Sequence, residues 1–486
     1  MPKTRCLLRG EITYSSAREK DTNVLHTLGY WAQRAEFFDR LDKNRNLIQA
    51  VIARHLGVKA AACHVADQAD WVHGSFNLCV PVTITAWRKT RVIIRFPLPY
   101  RVGEDFRPGN ADEKLRCEAG AYTWLQSHCP SVPIPRLYGF GLSTGQSFTA
   151  IDTLPLMTRC LQYLRRLALA TLGYPVPSRL VPQRGDGPNL FVGYLLIEYI
   201  EEGQGMMLSN TWDEGYVDTR LRTNFFRSLS RVLLTIAQVP VPQIGSFTIN
   251  DDGVLTLSNR PLTLEVHELE NERIPVDIPR NLTYTSVDSY VMDILAFHDS
   301  RLRHQPNAAT NEQDCVYQMS ALSTMKMVFP QFFRRDLRRG PFVFCLTDIH
   351  QSNILVDADW NIKCLIDLEW ACSRPIEMLH PPRWLTNQAI DEMDADKYAQ
   401  IHQEFVEILQ NEERLLDART TISSVLREGL ERGTYILPRF AKGHENDENF
   451  YRVLMYYWTE KTWDFIRGKV RDKTEYDKRL RDAFNN

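Results

Sequence analysis

The chain lacks any uninterrupted apolar run near 18 residues, the length a membrane-spanning helix needs, and this excludes that class. It also lacks an excess of either charge. Its 486 residues carry 58 Lys and Arg against 60 Asp and Glu, a net charge of −2. A balance this close to zero removes the generic electrostatic case for nucleic acid or an anionic membrane as partner, a local patch apart. The ten cysteines are scattered and none stands in a Cys-x-x-Cys pair, so zinc-ribbon and thioredoxin-type chemistry have no support. The opening stretch from Met1 to Glu11 breaks its apolar run at once, so no secretory signal is expected there. Reduced thiols and a cytoplasmic location follow as the expectation. The sequon Asn281-Leu282-Thr283 carries no weight without secretion. No internal repeat and no low-complexity tract is visible.

What is present is the composition of a folded protein, 44% hydrophobic and 10% aromatic, which a disordered chain does not reach. The length suits about three ordinary domains, or a fold of two lobes. Residues 1–70 read as a helical extension. From 71 to 200 the chain is β-rich: Phe76–Ile84 and Thr90–Phe96 are runs of β-branched residues, and Tyr194–Ile200 reads as a buried strand. Residues 112–127 have helical spacing, with Leu115, Tyr122 and Leu125 near one face and Glu118 among them. The stretch 155–190, with five prolines and a basic helical piece from Arg159 to Arg166, reads as a surface insertion. After Gly203, helical periodicity takes over to residue 486, as in Phe225, Leu229, Val232, Leu233 and Ile236. It is interrupted by an Asp252-Gly253 hairpin signal and by short strands between 341 and 367.

Chemistry concentrates in Leu346-Thr347-Asp348-Ile349-His350-Gln351-Ser352-Asn353, followed by Ile366-Asp367-Leu368-Glu369-Trp370. A strand delivers Asp348 into a loop, Asn353 opens the next strand, and a hairpin returns to Asp367. The three side chains therefore emerge near one end of a small sheet. Phosphoryl transfer needs such a set: one carboxylate to take the proton of a hydroxyl, and an amide oxygen with a second carboxylate to hold Mg²⁺ against phosphate oxygens.

With these residues the sequence resembles the aminoglycoside phosphotransferase family of the protein kinase-like superfamily, and its wording is similar to the large fungal branch. The resemblance implies an α+β, two-lobed protein kinase-like fold, with a β-rich N-terminal lobe and a mainly helical C-terminal lobe that carries the catalytic loop 346–370. It implies an ATP- and Mg²⁺-dependent O-phosphotransferase acting on a small-molecule hydroxyl, with no nucleic-acid or membrane partner. Asp348 is then the catalytic base, and Asn353 and Asp367 hold the metal. His73-Gly74-Ser75-Phe76-Asn77 takes the place of the phosphate loop, with Ser75, Phe76 and Asn77 at the nucleotide. Arg95 stands where kinases carry a strand lysine, with Glu118 as its helix partner and Lys89 as a nearby alternative cation. Glu198 and Ile200 lie on the strand whose backbone meets adenine. His350 either touches phosphate or acceptor or is structural; Glu369 either reaches a second metal or a cationic acceptor or fixes the loop through a salt bridge. The acidic run 391–413 is either a cationic acceptor's site or a solvated helix face. The departures are Leu346-Thr347 before Asp348, where relatives carry His-Gly or His-Arg, and the arginine at position 95. They leave open a non-catalytic kinase-like binding protein. A protein kinase is disfavoured, since Asp367-Leu368-Glu369 replaces Asp-Phe-Gly and no Ala-Pro-Glu follows.

Overall fold

Two β-branched runs, Asn77–Ile84 and Arg91–Pro97, lie side by side at the centre of an antiparallel sheet. In the computed structural model, which describes residues 3–85, 87, 90–183, 187–386, 395–416, 422–432 and 460–485, that sheet has eight strands. In spatial order they are Cys63–Val65, Asn77–Ile84, Arg91–Pro97, Tyr194–Glu198, Leu137–Gly141, Ser147–Ala150 and Leu180–Pro182, with Val72–His73 added against Asn77–Ile84. The sheet therefore begins before residue 70. The helices Tyr30–Lys43 and Arg45–Leu56 form one of its layers, packing Ile48, Ile52 and Leu56 on Val80, Val92, Ile94 and Phe96.

Side chains alternate across a strand, so the residues between those apolar ones face the other way. Ile93 and Arg95 thus point to the second layer, the helix Asn110–His128. That helix also packs on the hairpin Ser246–Ile249/Leu255–Asn259 of the lower lobe. Gly120 permits the approach, because a Cβ there would lie 2.2 Å from the carbonyl oxygen of Phe247. Trp124 seals the joint, with ring centroids 5.7 Å from Phe247 and 4.5 Å from Phe344.

The chain leaves the upper sheet at Glu198, turns through Glu202–Gln204, and pairs Met206–Met207 with Ile354–Val356 below. The lower lobe is mainly helical: Thr219–Ala237, Val287–His304, Glu312–Phe332, Ala395–Leu415 and Ile422–Arg432 among the described residues. Inside it sit two strand pairs, Phe342–Cys345 with Cys372–Pro375 and Ile354–Val356 with Ile362–Leu365. This is the two-lobed α+β kinase-like architecture. The stretch 155–190 forms an exposed helix, Leu156–Thr171, and then a strand, Leu180–Pro182, that completes the sheet edge.

Three buried histidines make the fold acid-sensitive. His55, hydrogen-bonded to Thr149 and Tyr194, is pushed down to about 3 by burial and then by Arg54. His267 and His402 are each pushed down to about 4, again by burial first. A depressed histidine binds its proton less readily folded than unfolded. Stability is therefore full above the unfolded value of about 6.5 and is lost as pH falls toward 4. Each site contributes up to about 1.4 kcal/mol per pH unit in that window, or about 4 kcal/mol per unit together. Urea unfolding followed from pH 7 to 4 is expected to show that slope, reduced by one proton in His55→Gln. A flat profile would remove the assignment.

Candidate active site

The geometry begins with Arg95, at the lower end of its strand and buried. Its guanidinium donates to Glu118 Oε1 at 2.7 Å, to Asp367 Oδ1, and to Glu369 Oε2 at 3.3 Å. One side chain of the upper sheet thus ties the upper helix to the segment that follows the lower hairpin. Lys114, one turn before Glu118 and fully buried, joins from the same helix. Its Nζ lies 2.6 Å from Glu369 Oε2 and 3.8 Å from Glu118 Oε2, and it donates to Asn77 Oδ1 at 2.7 Å. Asn77 closes the ring by donating to Glu369 Oε2 at 2.5 Å.

Two cations and three carboxylates make this cluster, leaving one negative charge in excess. The protonation equilibria follow from that imbalance. Burial would raise Glu369, but Lys114 and Arg95, with hydrogen bonds from Lys114 and Asn77, hold it below its ordinary value. Glu118 and Asp367 are raised by burial, which outweighs the lowering by Arg95 and Lys114, with a smaller raising contribution from the neighbouring carboxylates. Asp367 also sits in the left-handed region at φ 58°, an uncommon backbone for a non-glycine residue and one that collects at functional sites.

Asp348 lies across a small cavity that Asn353 and Asp367 also line. Its carboxyl is pushed up to about 7, by burial and then by Glu369, Asp367 and Glu268. The loop is held by its own side chains: Asn353 Nδ2 donates to the Asp348 carbonyl at 3.1 Å, and Thr347 Oγ1 donates to the Trp370 carbonyl at 2.6 Å. Thr347 thus supplies a tether at the position where the sequence departs from its relatives. Asn353 and Asp367 both line this cavity, and Oδ1 of Asn353 and Oδ2 of Asp367 accept no hydrogen bond among the described residues. An amide oxygen and a carboxylate oxygen beside an uncompensated negative charge fit a hard divalent cation that takes its remaining ligands from phosphate and water.

On the far side of Asp348 opens a cleft of about 580 Å³. His350, Arg374, His380 and Trp384 line it with apolar Met378 and Leu379. Trp384 is fixed by donating Nε1 to the Ile349 carbonyl at 2.7 Å. His350 accepts from Ser352 N at Nδ1 and caps the turn Gln351–Asn353. Burial lowers its proton affinity.

The remaining sequence-derived residues fall as follows. Gly74, Ser75 and Phe76 form the turn between Val72–His73 and Asn77–Ile84, with Gly74 N donating to Asn77 O at 2.9 Å. Ser75 is exposed, and its carbonyl accepts from Arg101 Nε. Phe76 is packed edge-on against Trp370 at 5.4 Å, so the turn lies against the catalytic segment. The Asn77 amide points inward to Lys114 and Glu369. Glu198 ends its strand beside Arg136, and Ile200 follows half-buried at the connection between lobes. Lys89 lies outside the described residues, as do Asp391, Glu392 and Asp394. In the described part of the acidic run, Glu404 pairs with Arg222, Glu412 with Arg227 and Arg231, and Glu413 accepts from Ser423. These acids fasten helices to one another and do not line the cleft. Sequence reasoning missed Lys114 altogether; its spacing of four from Glu118 was the one available signal.

Residues 146–378 match the model of the phosphotransferase enzyme family. Just under half of the chain is thus similar to a phosphotransferase-family domain. The match spans the connection between lobes, Asp348, Asn353, Asp367 and Glu369, and is to a family of phosphotransferase enzymes. It leaves out Ser75, Arg95, Lys114 and Glu118, whose placement rests on the geometry alone. No match is found among curated proteins. Among solved structures, a macrolide 2′-phosphotransferase type I is 14% identical over 80% of this chain and 88% of its own, with a TM-score of 0.32. A macrolide 2′-phosphotransferase from Brachybacterium faecium, solved as the apoenzyme, is 10% identical over 87% and 96%, with a TM-score of 0.34. Likenesses this distant carry nothing about the acceptor.

Proposed function

We propose that the protein transfers the γ-phosphate of ATP to the hydroxyl of a small molecule, with Mg²⁺ held by Asn353 and Asp367. The observation that carries this reading is Arg95 meeting Glu118 and Asp367 at once, with Asp348 across the same cavity. On this reading the exposed turn at Ser75 offers backbone N–H groups to the phosphates, and Arg95 orients them. The backbone of Glu198 to Ile200 faces the adenine. Asp348 accepts the proton of a hydroxyl seated in the cleft beside it. Asn353 and Asp367 would hold Mg²⁺, which would supply charge neutralisation for the phosphate being transferred. Trp384 and the apolar wall of the cleft suit an acceptor with an apolar or ring-bearing face. The wording around Asp348 and Asp367 further suits, in our reading, the fungal branch of the phosphotransferase family, and the scattered, unpaired cysteines suit the cytoplasm.

The test is phosphate transfer from γ-labelled ATP, with Mg²⁺, into a pool of small metabolites. Asp367→Ala is expected to lower the rate by at least about 10³-fold, because a main stabiliser of transition-state charge goes with it. Label entering a small molecule with the parent protein, and lost in the variant, supports the reading. Nucleotide binding without transfer would leave a kinase-like binding protein; equal transfer by the variant would overturn the metal assignment.

A further inference from the structure

The helix Leu156–Thr171 is amphipathic, yet it is turned inside out. A helix on a globular surface normally lays its apolar stripe on the core. Here no residue of the helix is buried, and the stripe points away from the protein. Leu156, Met157, Leu161, Leu164, Leu167 and Leu172 are each between 63% and 87% exposed. The side turned toward the protein is mainly polar: Arg159, Gln162 and Arg166 are half-buried there with Leu169, and Arg166 donates to the Pro177 carbonyl. A stripe about 24 Å long is thereby offered to whatever lies outside. Contiguous exposed apolar surface of this kind marks an interaction site.

The charges beside the stripe say what fits. From residue 153 to residue 183 the sequence has four arginines, Arg159, Arg165, Arg166 and Arg179, and no Asp or Glu; Arg179 pairs with Asp152 and Arg166 is held by the Pro177 carbonyl, so the outward charge beside the stripe is that of Arg165. Arg165 is exposed at the margin of the stripe. A second copy of the chain is a poor occupant, because a two-fold pair sets this face against itself, arginine facing arginine with no carboxylate on the helix to intervene. A surface both apolar and anionic satisfies both features. No helix among the described residues is long and apolar enough to cross a membrane, so the contact is one of lying on the surface.

We propose that Leu156–Thr171 is a membrane-surface anchor, burying its leucine stripe at the headgroup boundary of an anionic bilayer with Arg165 at the phosphates. This brings the upper lobe to a lipid surface, a partner that the near-zero net charge of the whole chain conceals.

The test is co-sedimentation of the full chain with phosphatidylcholine vesicles, with and without phosphatidylserine. Binding is expected with phosphatidylserine, to weaken in high salt, and to fall about fivefold in Arg165→Glu. Leu161→Glu/Leu164→Glu is expected to abolish it while the melting temperature is kept, since both side chains are exposed. Equal binding by the double variant, or no binding by the parent, would overturn the proposal. So would a dimer, seen by light scattering, that the double variant dissolves while vesicles are ignored.

Discussion

Asp348→Asn is expected to lower kcat for phosphate transfer by about 10³-fold, within the range a positioned general base contributes, and to leave nucleotide affinity nearly unchanged. Asparagine keeps the shape of the side chain. Asn353 donates chiefly to the Asp348 carbonyl, so the loop keeps its tether. What is lost is the oxygen that takes the proton. The same carboxyl sets the pH dependence. Burial and then Glu369, Asp367 and Glu268 raise it to about 7, so it is protonated, and inactive as a base, below that value. The rate is expected to climb with pH through 7 and level off above it. For stability the sign runs the other way. A carboxyl that holds its proton more tightly folded than unfolded makes the fold less stable as pH rises from its ordinary range through 7. Asp348→Asn is therefore expected to raise the melting temperature at pH 8 and leave it unchanged at pH 4. Scanning calorimetry at the two pH values, beside the rate profile, reads both effects. A melting temperature that drops at pH 8 would mean the carboxylate is stabilising, contrary to the unfavourable setting described.

The parts of the site legible in the sequence are those fixed by local chain geometry. Asp348, Asn353 and Asp367 are separated by one loop and one hairpin, and strand pairing alone brings them to a common end. Arg95 and Glu118 were legible for a different reason: the resemblance to kinases pointed to them as a strand cation and its helix partner, and alternation along the strand turns Arg95 toward that helix. Lys114 was not legible. In the helix Asn110–His128 every residue from 110 to 125 except Asp112 and Arg116 is buried, so no polar face exists from which an inward lysine could stand out. Its partners Glu369 and Asn77 are more than 35 positions away in either direction. Glu369 was left between a metal or acceptor role and a salt bridge, and only the packing of the lobes brings Lys114 and Arg95 onto it. The helices before residue 70 read as an extension because their contact with the sheet is long-range. The outward stripe of Leu156–Thr171 has the same periodicity as an inward one, and periodicity does not say which way a face points.

Lys114→Met is expected to cost about 3–5 kcal/mol of stability, as removal of one partner from a buried ion pair does. Charge counting makes the expectation sharper. The cluster holds Arg95 and Lys114 against Glu118, Asp367 and Glu369, so losing the lysine leaves one cation among three carboxylates. Methionine fills the volume but neither pairs with Glu369 nor donates to Asn77 Oδ1, a bond otherwise 2.7 Å long. Glu369→Gln acts on the other side of the balance. It leaves two cations and two carboxylates, keeps a side-chain oxygen toward Lys114 and Arg95, and is expected to cost about 1–2 kcal/mol, nearer the value of a charged hydrogen bond. In that variant Glu118 and Asp367 lose a repelling neighbour and ionise at lower pH. The two substitutions therefore differ in function as well. Lys114→Met adds uncompensated negative charge beside the phosphate site and weakens nucleotide binding, whereas Glu369→Gln leaves that charge balanced. Chemical denaturation and a nucleotide titration on the two variants decide the matter. If Glu369→Gln proved the more damaging in both measurements, the excess negative charge would have to be compensated within the cluster itself, and Asp367 would lose its claim as the place where a divalent cation completes the balance.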